Sequence, residues 1–144
     1  MNSGDGASLA LVLATAAHMG FQLTVTVVVY PALARLGAER WQAGHDAHGR
    51  AITPLVVLAY GAMVLAGGWA LVERPQDPFV LVSVTAAATA VLVTALVAAP
   101  THARLAAGPD PDLIRRLLVS DRVRAVAAVV AVAAAVAAAV SAAL

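Results

Sequence analysis

Three histidines near one another in the topology carry most of the chemistry this chain can offer. His45 and His48 stand three positions apart with Trp41 on the same helical face, and His102 sits beside Thr101 and Arg104. Asp121 and Arg124 make an i, i+3 pair further on. Imidazole gains or loses its proton near neutrality, so such a group flanked by Arg and Asp suits proton transfer beside a stabilised anion. The same residues admit a sharper variant, a transition-metal site with His45, His48 and His102 as ligands and Asp121 as a fourth, which would suit zinc, copper or iron. They also admit a plainer one: a polar collar of His, Trp and Arg at headgroup level that anchors helices and does no chemistry.

A second polar line precedes these residues. Thr15, His18, Gln22, Thr26 and Tyr30 recur at spacings of three or four and so share one helical face. An ionisable group at His18, near mid-membrane, marks either a functional site or a packing pin hydrogen bonded to Gln22 or a facing threonine. Its distance of some 15 Å along the axis from the level of His48 assigns it the structural or tuning role. Other chemistries fall away. Cysteine is absent, which removes disulfides, thiolate metal sites and cysteine nucleophiles. A ferritin-like di-iron site needs inward glutamates, and the only two are Glu39 and Glu73, at opposite ends. Bis-histidine haem lacks a second histidine at the depth of His18. Ser120 and Asp121 are adjacent on a helix and do not face one another, which disfavours a Ser-His-Asp arrangement.

The elements that position these residues follow from composition. The 144 residues are 62% hydrophobic and 12% charged, with a mean hydropathy of +0.88, far from a soluble domain. Charges divide the chain into four uncharged stretches, 6–34, 51–72, 78–103 and 125–144, each of 20 residues or more. A helix needs roughly 20 apolar residues to cross a ~30 Å hydrocarbon core. Continuous alanine-valine runs exclude the alternation of a transmembrane barrel, and the first stretch is too long and too interrupted to be a signal peptide. The predicted fold is all-α: a single antiparallel four-helix transmembrane bundle with helices at about 7–36, 39–73, 78–107 and 111–143. Asp77-Pro78 and Asp110-Pro111 start the third and fourth helices with a capping carboxylate. Gly37 and Gly108 are placed as left-handed residues ending the first and third, and Pro54 as a bend in the second.

All nine basic residues are arginines, and eight of them flank the first and third connections, with only Arg74 at the opposite side. By the positive-inside bias both arginine-rich connections lie in the cytoplasm and both termini outside the cell membrane. The lipid bilayer is the obligatory partner. Nucleic acid is not expected, because no dispersed basic surface exists. Self-association through the alanine-rich fourth helix remains open.

Three segments together resemble a known family. VVVYPALARLGAERWQAGHDAHGRAITPLVV (27–57), AAPTHARLAAGPDPDLIRRL (98–117) and VSDRVRAVAAVV (119–130) resemble the anthrone-oxygenase-like family of small four-helix membrane proteins, in particular its actinobacterial branch. The likeness rests on Tyr30-Pro31 at the end of helix one, on His45 and His48, on Pro100 and His102 closing helix three, and on Arg122 to Arg124. Where that family usually has Asn and Thr around the final arginine, this chain has Asp121 and Ala125. The resemblance implies a membrane oxidoreductase that oxidises a flat, lipophilic aromatic such as an anthrone with molecular oxygen and no bound cofactor. In such a reaction His45, His48 or His102 would act as base, Arg50 or Arg124 would hold the anion with Asp121 in support, and Tyr30, Trp41 and Gln22 would line the substrate's place. The competing reading is a non-enzymatic membrane protein that binds a metal, a lipid or a partner protein.

Overall fold

The computed structural model describes residues 3–143, and every regular element among them is helical. The chain forms an all-α bundle of four long apolar helices: α1 (Ser3–Ala34), α2 (Ala38–Glu73), α3 (Pro78–Leu105) and α4 (Pro111–Ala143). Each contains a window apolar enough to cross a membrane, and only 22–33% of each window is buried inside the bundle. The remainder faces outward and is strongly apolar: Leu58, Leu65 and Val72 are 71–77% exposed. A surface of that kind belongs in lipid, so this is a membrane protein.

Helix ends follow local chemistry. Asp77 accepts the backbone N–H groups of Phe79 and Val80 at 2.8 and 3.1 Å, and Asp110 those of Asp112 and Leu113 at 2.8 and 3.2 Å. These are the caps the Asp-Pro pairs predict. Gly108 has a positive φ of 145° just beyond α3, where only glycine sits without strain. Gly37 differs from the expectation. Its backbone is extended (φ −67°, ψ 157°) and it opens α2 as the residue before the first turn. Pro54 lies inside α2, whose helical run continues through it to Glu73.

Two further prolines reshape their helices. Upstream of Pro31, residues Val25–Val29 form a wide π turn in which the Tyr30 N–H reaches Val25 O. Upstream of Pro100, Thr94–Ala98 do the same, with the Ala99 N–H reaching Thr94 O. Proline lacks an N–H and clashes with the carbonyl four residues earlier, and one extra residue in the preceding turn relieves both problems without breaking the helix.

α4 packs along α1 and α3, α1 packs along α2, and the seam between α2 and α3 is the thinnest of the four. Small residues make the close approaches: Ala128, Ala131, Ala135 and Ala138 of α4 are fully buried. At the end away from the arginine-rich connections, Arg74 ties the bundle shut. It donates to Ser8 Oγ at 3.0 Å and to the Ala138 carbonyl at 2.8 Å, and it pairs with Asp77. At the other end Val25, Tyr30, Leu33, Trp41, Ala98, Leu105, Leu113 and Leu117 form the apolar base on which the polar residues rest.

Candidate functional site

Arg124 is the centre of the polar network. It is 5% exposed, held by Asp121 one turn earlier on α4, with Nη2 to Asp121 Oδ1 at 2.9 Å. Gln22 of α1 donates to the same carboxylate oxygen at 2.7 Å. With its charge balanced, Arg124 extends Nη2 to the Tyr30 hydroxyl at 3.0 Å and Nη1 to Thr94 Oγ1 at 3.3 Å, and its guanidinium carbon lies 5.7 Å from the Tyr30 ring centroid. Both acceptors owe their place to the wide turns: Tyr30 follows the π turn of α1 and Thr94 opens that of α3. Thr94 gives its own proton to Ala90 O at 2.9 Å. Tyr60 of α2, 2.6 Å away, is therefore the donor in its bond to Thr94.

From Tyr30 the network continues to the histidines. The Tyr30 hydroxyl lies 3.2 Å from His102 Nε2, and His102 Nδ1 lies 3.4 Å from His45 Nε2. His48 meets Tyr30 edge-on at 6.3 Å between centroids and His102 at 5.5 Å. Trp41 stacks on His45 at 5.7 Å with 20° between planes, and its indole N–H closes the end of α3 by donating to the Leu105 carbonyl at 2.9 Å. The spacing of Trp41, His45 and His48 thus does put them on one face of α2.

These side chains enclose a cavity of about 330 Å³. Its polar lining is Tyr30, His45, His48, Thr53, Thr94, His102 and Arg124; its apolar lining includes Phe21, Ile52 and Val56. The histidines point into the bundle, as a site requires and a headgroup collar does not. A volume at the low end of small-molecule sites, mostly apolar with a few convergent polar groups, is the usual form of a pocket for a compact lipophilic ligand.

Several sequence-predicted positions differ. Arg50 is exposed and does not line the cavity. Two residues beyond His48 on a helix is 200° of rotation, which carries it to the opposite face. Asp121 and Gln22 lie behind Arg124 and hold it; neither lines the cavity. Trp41 packs beneath His45 and likewise does not line it. Among the described residues no three His, Asp or Glu side chains are grouped as ligands of an ion, and Asp121 is turned from the histidines into its ion pair. His18 makes neither hydrogen bond anticipated for it. Both its ring nitrogens are buried without hydrogen-bond partners among the described residues, and the ring packs on Tyr60 at 5.0 Å between centroids. The sequence reading missed Thr94 and Tyr60. Thr94 lies six positions before Pro100, and a polar residue about one and a half turns ahead of a mid-helix proline was the available signal.

Fold and cavity together define a small polytopic helical membrane protein with a polar-walled pocket at one end of its bundle. No protein-family model, curated protein or solved structure matches the chain.

Proposed function

We propose that this protein is a small membrane oxidoreductase, a cofactor-independent oxygenase of the anthrone-oxygenase-like kind, acting on a flat, lipophilic hydroxylated aromatic. The observation that carries this reading is the cavity of about 330 Å³ lined by three imidazoles and an Arg-Tyr pair together with mainly apolar side chains. An anthrone carries weakly acidic protons and becomes reactive toward oxygen once one is removed. A cavity imidazole, from His48 or His102, takes that proton. Arg124, with Tyr30 and Thr94 beside it, holds the resulting oxyanion, and the water-excluding bundle strengthens that interaction. The anion reduces oxygen by one electron, the resulting radical and superoxide recombine at the ring carbon as a peroxide anion, the imidazolium returns its proton to give the hydroperoxide, and loss of water leaves the quinone. In sum, one anthrone and one O₂ give one anthraquinone and one H₂O.

By the positive-inside bias the pocket lies at the cytoplasmic end of the bundle, with both termini outside the cell membrane. A lipophilic substrate would enter from the bilayer through the thin α2–α3 seam. The test is oxygen uptake by purified protein in detergent with a hydroxylated anthrone, against the spontaneous rate. Uptake matched one-to-one by quinone, and lost in Arg124→Met and His102→Gln, supports the reading. Uptake no faster than the spontaneous rate overturns it. Tight binding of the anthrone without turnover would replace it with a ligand-binding role.

A further inference from the structure

The hydrogen bonds around Tyr30 have a direction, and one residue sets it. Arg124 Nη2 stands 3.0 Å from the Tyr30 hydroxyl, and a guanidinium donates and never accepts. The phenol oxygen receives that bond on a lone pair, which leaves its own proton for His102 Nε2 at 3.2 Å. A neutral His102 that accepts at Nε2 carries its proton on Nδ1, facing His45 Nε2 at 3.4 Å. His45 in turn accepts at Nε2 and carries its proton on Nδ1. That nitrogen is buried without a hydrogen-bond partner among the described residues, and it stands 3.9 Å from Asp46 Oδ1. The His45 side chain is 9% exposed and that of Asp46 44%. A chain of donors therefore starts at a buried cation, passes along the cavity wall and ends at His45 Nδ1, 3.9 Å short of a half-exposed carboxylate.

We propose that Tyr30, His102 and His45 form a polarised proton wire that carries a proton from the cavity to Asp46 at the arginine-rich end of the bundle. This rests on reading the cavity as a site for an acidic phenol or enol, and it assigns His102, acting through Tyr30, as the route by which the proton leaves. The ligand's O–H breaks as the Tyr30 oxygen takes its proton. The Tyr30 proton passes to His102 Nε2, the His102 Nδ1 proton to His45 Nε2, and the His45 Nδ1 proton across the remaining 3.9 Å through a bridging water to the Asp46 carboxylate and then to bulk water. One O–H bond is lost on the ligand and one is formed on Asp46. The ligand is left as an anion beside Arg124, whose charge balances it. The path runs through side chains of the cavity wall itself and not through cavity water, so it stays open when a flat ring system fills the cavity and displaces that water. Arg124 both polarises the wire and holds the anion, while His45 is a relay that need not touch the ligand.

Ring-nitrogen NMR of the whole protein labelled with ¹⁵N-histidine reads the tautomers directly, with His45→Gln and His102→Gln used for assignment. Both His102 and His45 are expected in the Nδ1–H form, the reverse of the form that dominates for free histidine in water. An Nε2–H tautomer at either position breaks the chain and overturns the proposal. The second arm is turnover of a hydroxylated anthrone: His45→Gln should lower kcat tenfold or more with KM within twofold, and Asp46→Asn should lower it less. An unchanged kcat in His45→Gln overturns the wire while leaving the oxygenase reading intact. Expected tautomers in a wild-type protein that oxidises no anthrone support the wire and count against the oxygenase reading.

Discussion

Asp121→Leu should be among the most damaging single substitutions in the bundle, and combining it with Arg124→Met should repair the damage. Asp121 is 1% exposed and Arg124 5%, and the carboxylate oxygen that accepts Arg124 at 2.9 Å also accepts Gln22 at 2.7 Å. Removing the carboxylate alone strands a guanidinium in a low-dielectric interior, a change that costs about 3–5 kcal/mol when one partner of a buried pair is lost. For a chain of this size that corresponds to a fall in Tm on the order of 10 °C. Replacing both partners by apolar residues of similar length removes the stranded charge, and such replacements are commonly neutral or stabilising by about 1–4 kcal/mol. The double variant should therefore unfold near the wild-type temperature or above it, yet bind no aromatic anion. Thermal unfolding in one detergent, followed by circular dichroism at a fixed scan rate, gives the four corners of the cycle. A loss below about 1 kcal/mol for Asp121→Leu, the value typical of solvated pairs, would show that the pair is not desolvated. A double variant no more stable than the single one would refute the assignment of the damage to a stranded charge.

Three further outcomes follow from the same geometry. Pro100→Ala removes the reason for the wide turn at Thr94–Ala98; reversion to a regular turn should rotate His102 by about 100° relative to Thr94, raising Tm while lowering anthrone turnover at least tenfold, and unchanged turnover would show that the π turn does not set the site. His18→Phe replaces two unpartnered buried nitrogens by carbon while keeping the packing on Tyr60, so Tm should hold or rise, since an unsatisfied buried polar group costs about 1–3 kcal/mol; lost turnover at unchanged Tm would instead make His18 part of the chemistry. In this cysteine-free chain, single cysteines at the exposed positions Arg40 and Arg116 should resist an impermeant thiol reagent applied to intact cells while one at Gln76 is labelled. The reverse pattern inverts the topology.

The fold was legible because charge is scarce. Twelve per cent charged residues, gathered in the connections and the helical stretches next to them, leave four uncharged runs that mark the spans, and the two Asp-Pro pairs fix helix starts through capping chemistry that is purely local. Rotation of the helices about their own axes was much less legible. A helix that is apolar all round gives no stripe to orient it, so which face of α2 meets which face of α3 rests on a few polar residues. Trp41, His45 and His48 were grouped correctly from spacing alone. Arg50 was misplaced by sequence proximity, although two residues on a helix point 200° apart. His18 was expected to find a partner because Gln22 lies one turn away, but Gln22 is drawn off by Asp121, a carboxylate 99 positions distant that no local pattern connects to it.

The wide turns explain both the missing legibility and the site. Regular helices at Val25–Val29 and Thr94–Ala98 would present Tyr30 and His102 about 100° away from their present bearing relative to the helix preceding them. Each proline forces one extra residue into the turn before it, and together the two turns bring Tyr30, Thr94 and His102 to the level of Arg124 from opposite sides of α4. Arg124 then bonds three helices at once: α1 through Tyr30, α3 through Thr94 and its own α4 through Asp121. Among the described residues the side-chain hydrogen bonds of α2 to this centre run through α3, by Tyr60 to Thr94 and His45 to His102, while its contact with α1 here is the edge-on packing of His48 on Tyr30. By hydrogen bonds, α2, which carries His45 and His48, is thus the helix least directly fixed to the cation. It is also the helix whose seam with α3 is thinnest, so a ligand can part α2 from α3 while α1, α3 and α4 keep the arginine in place.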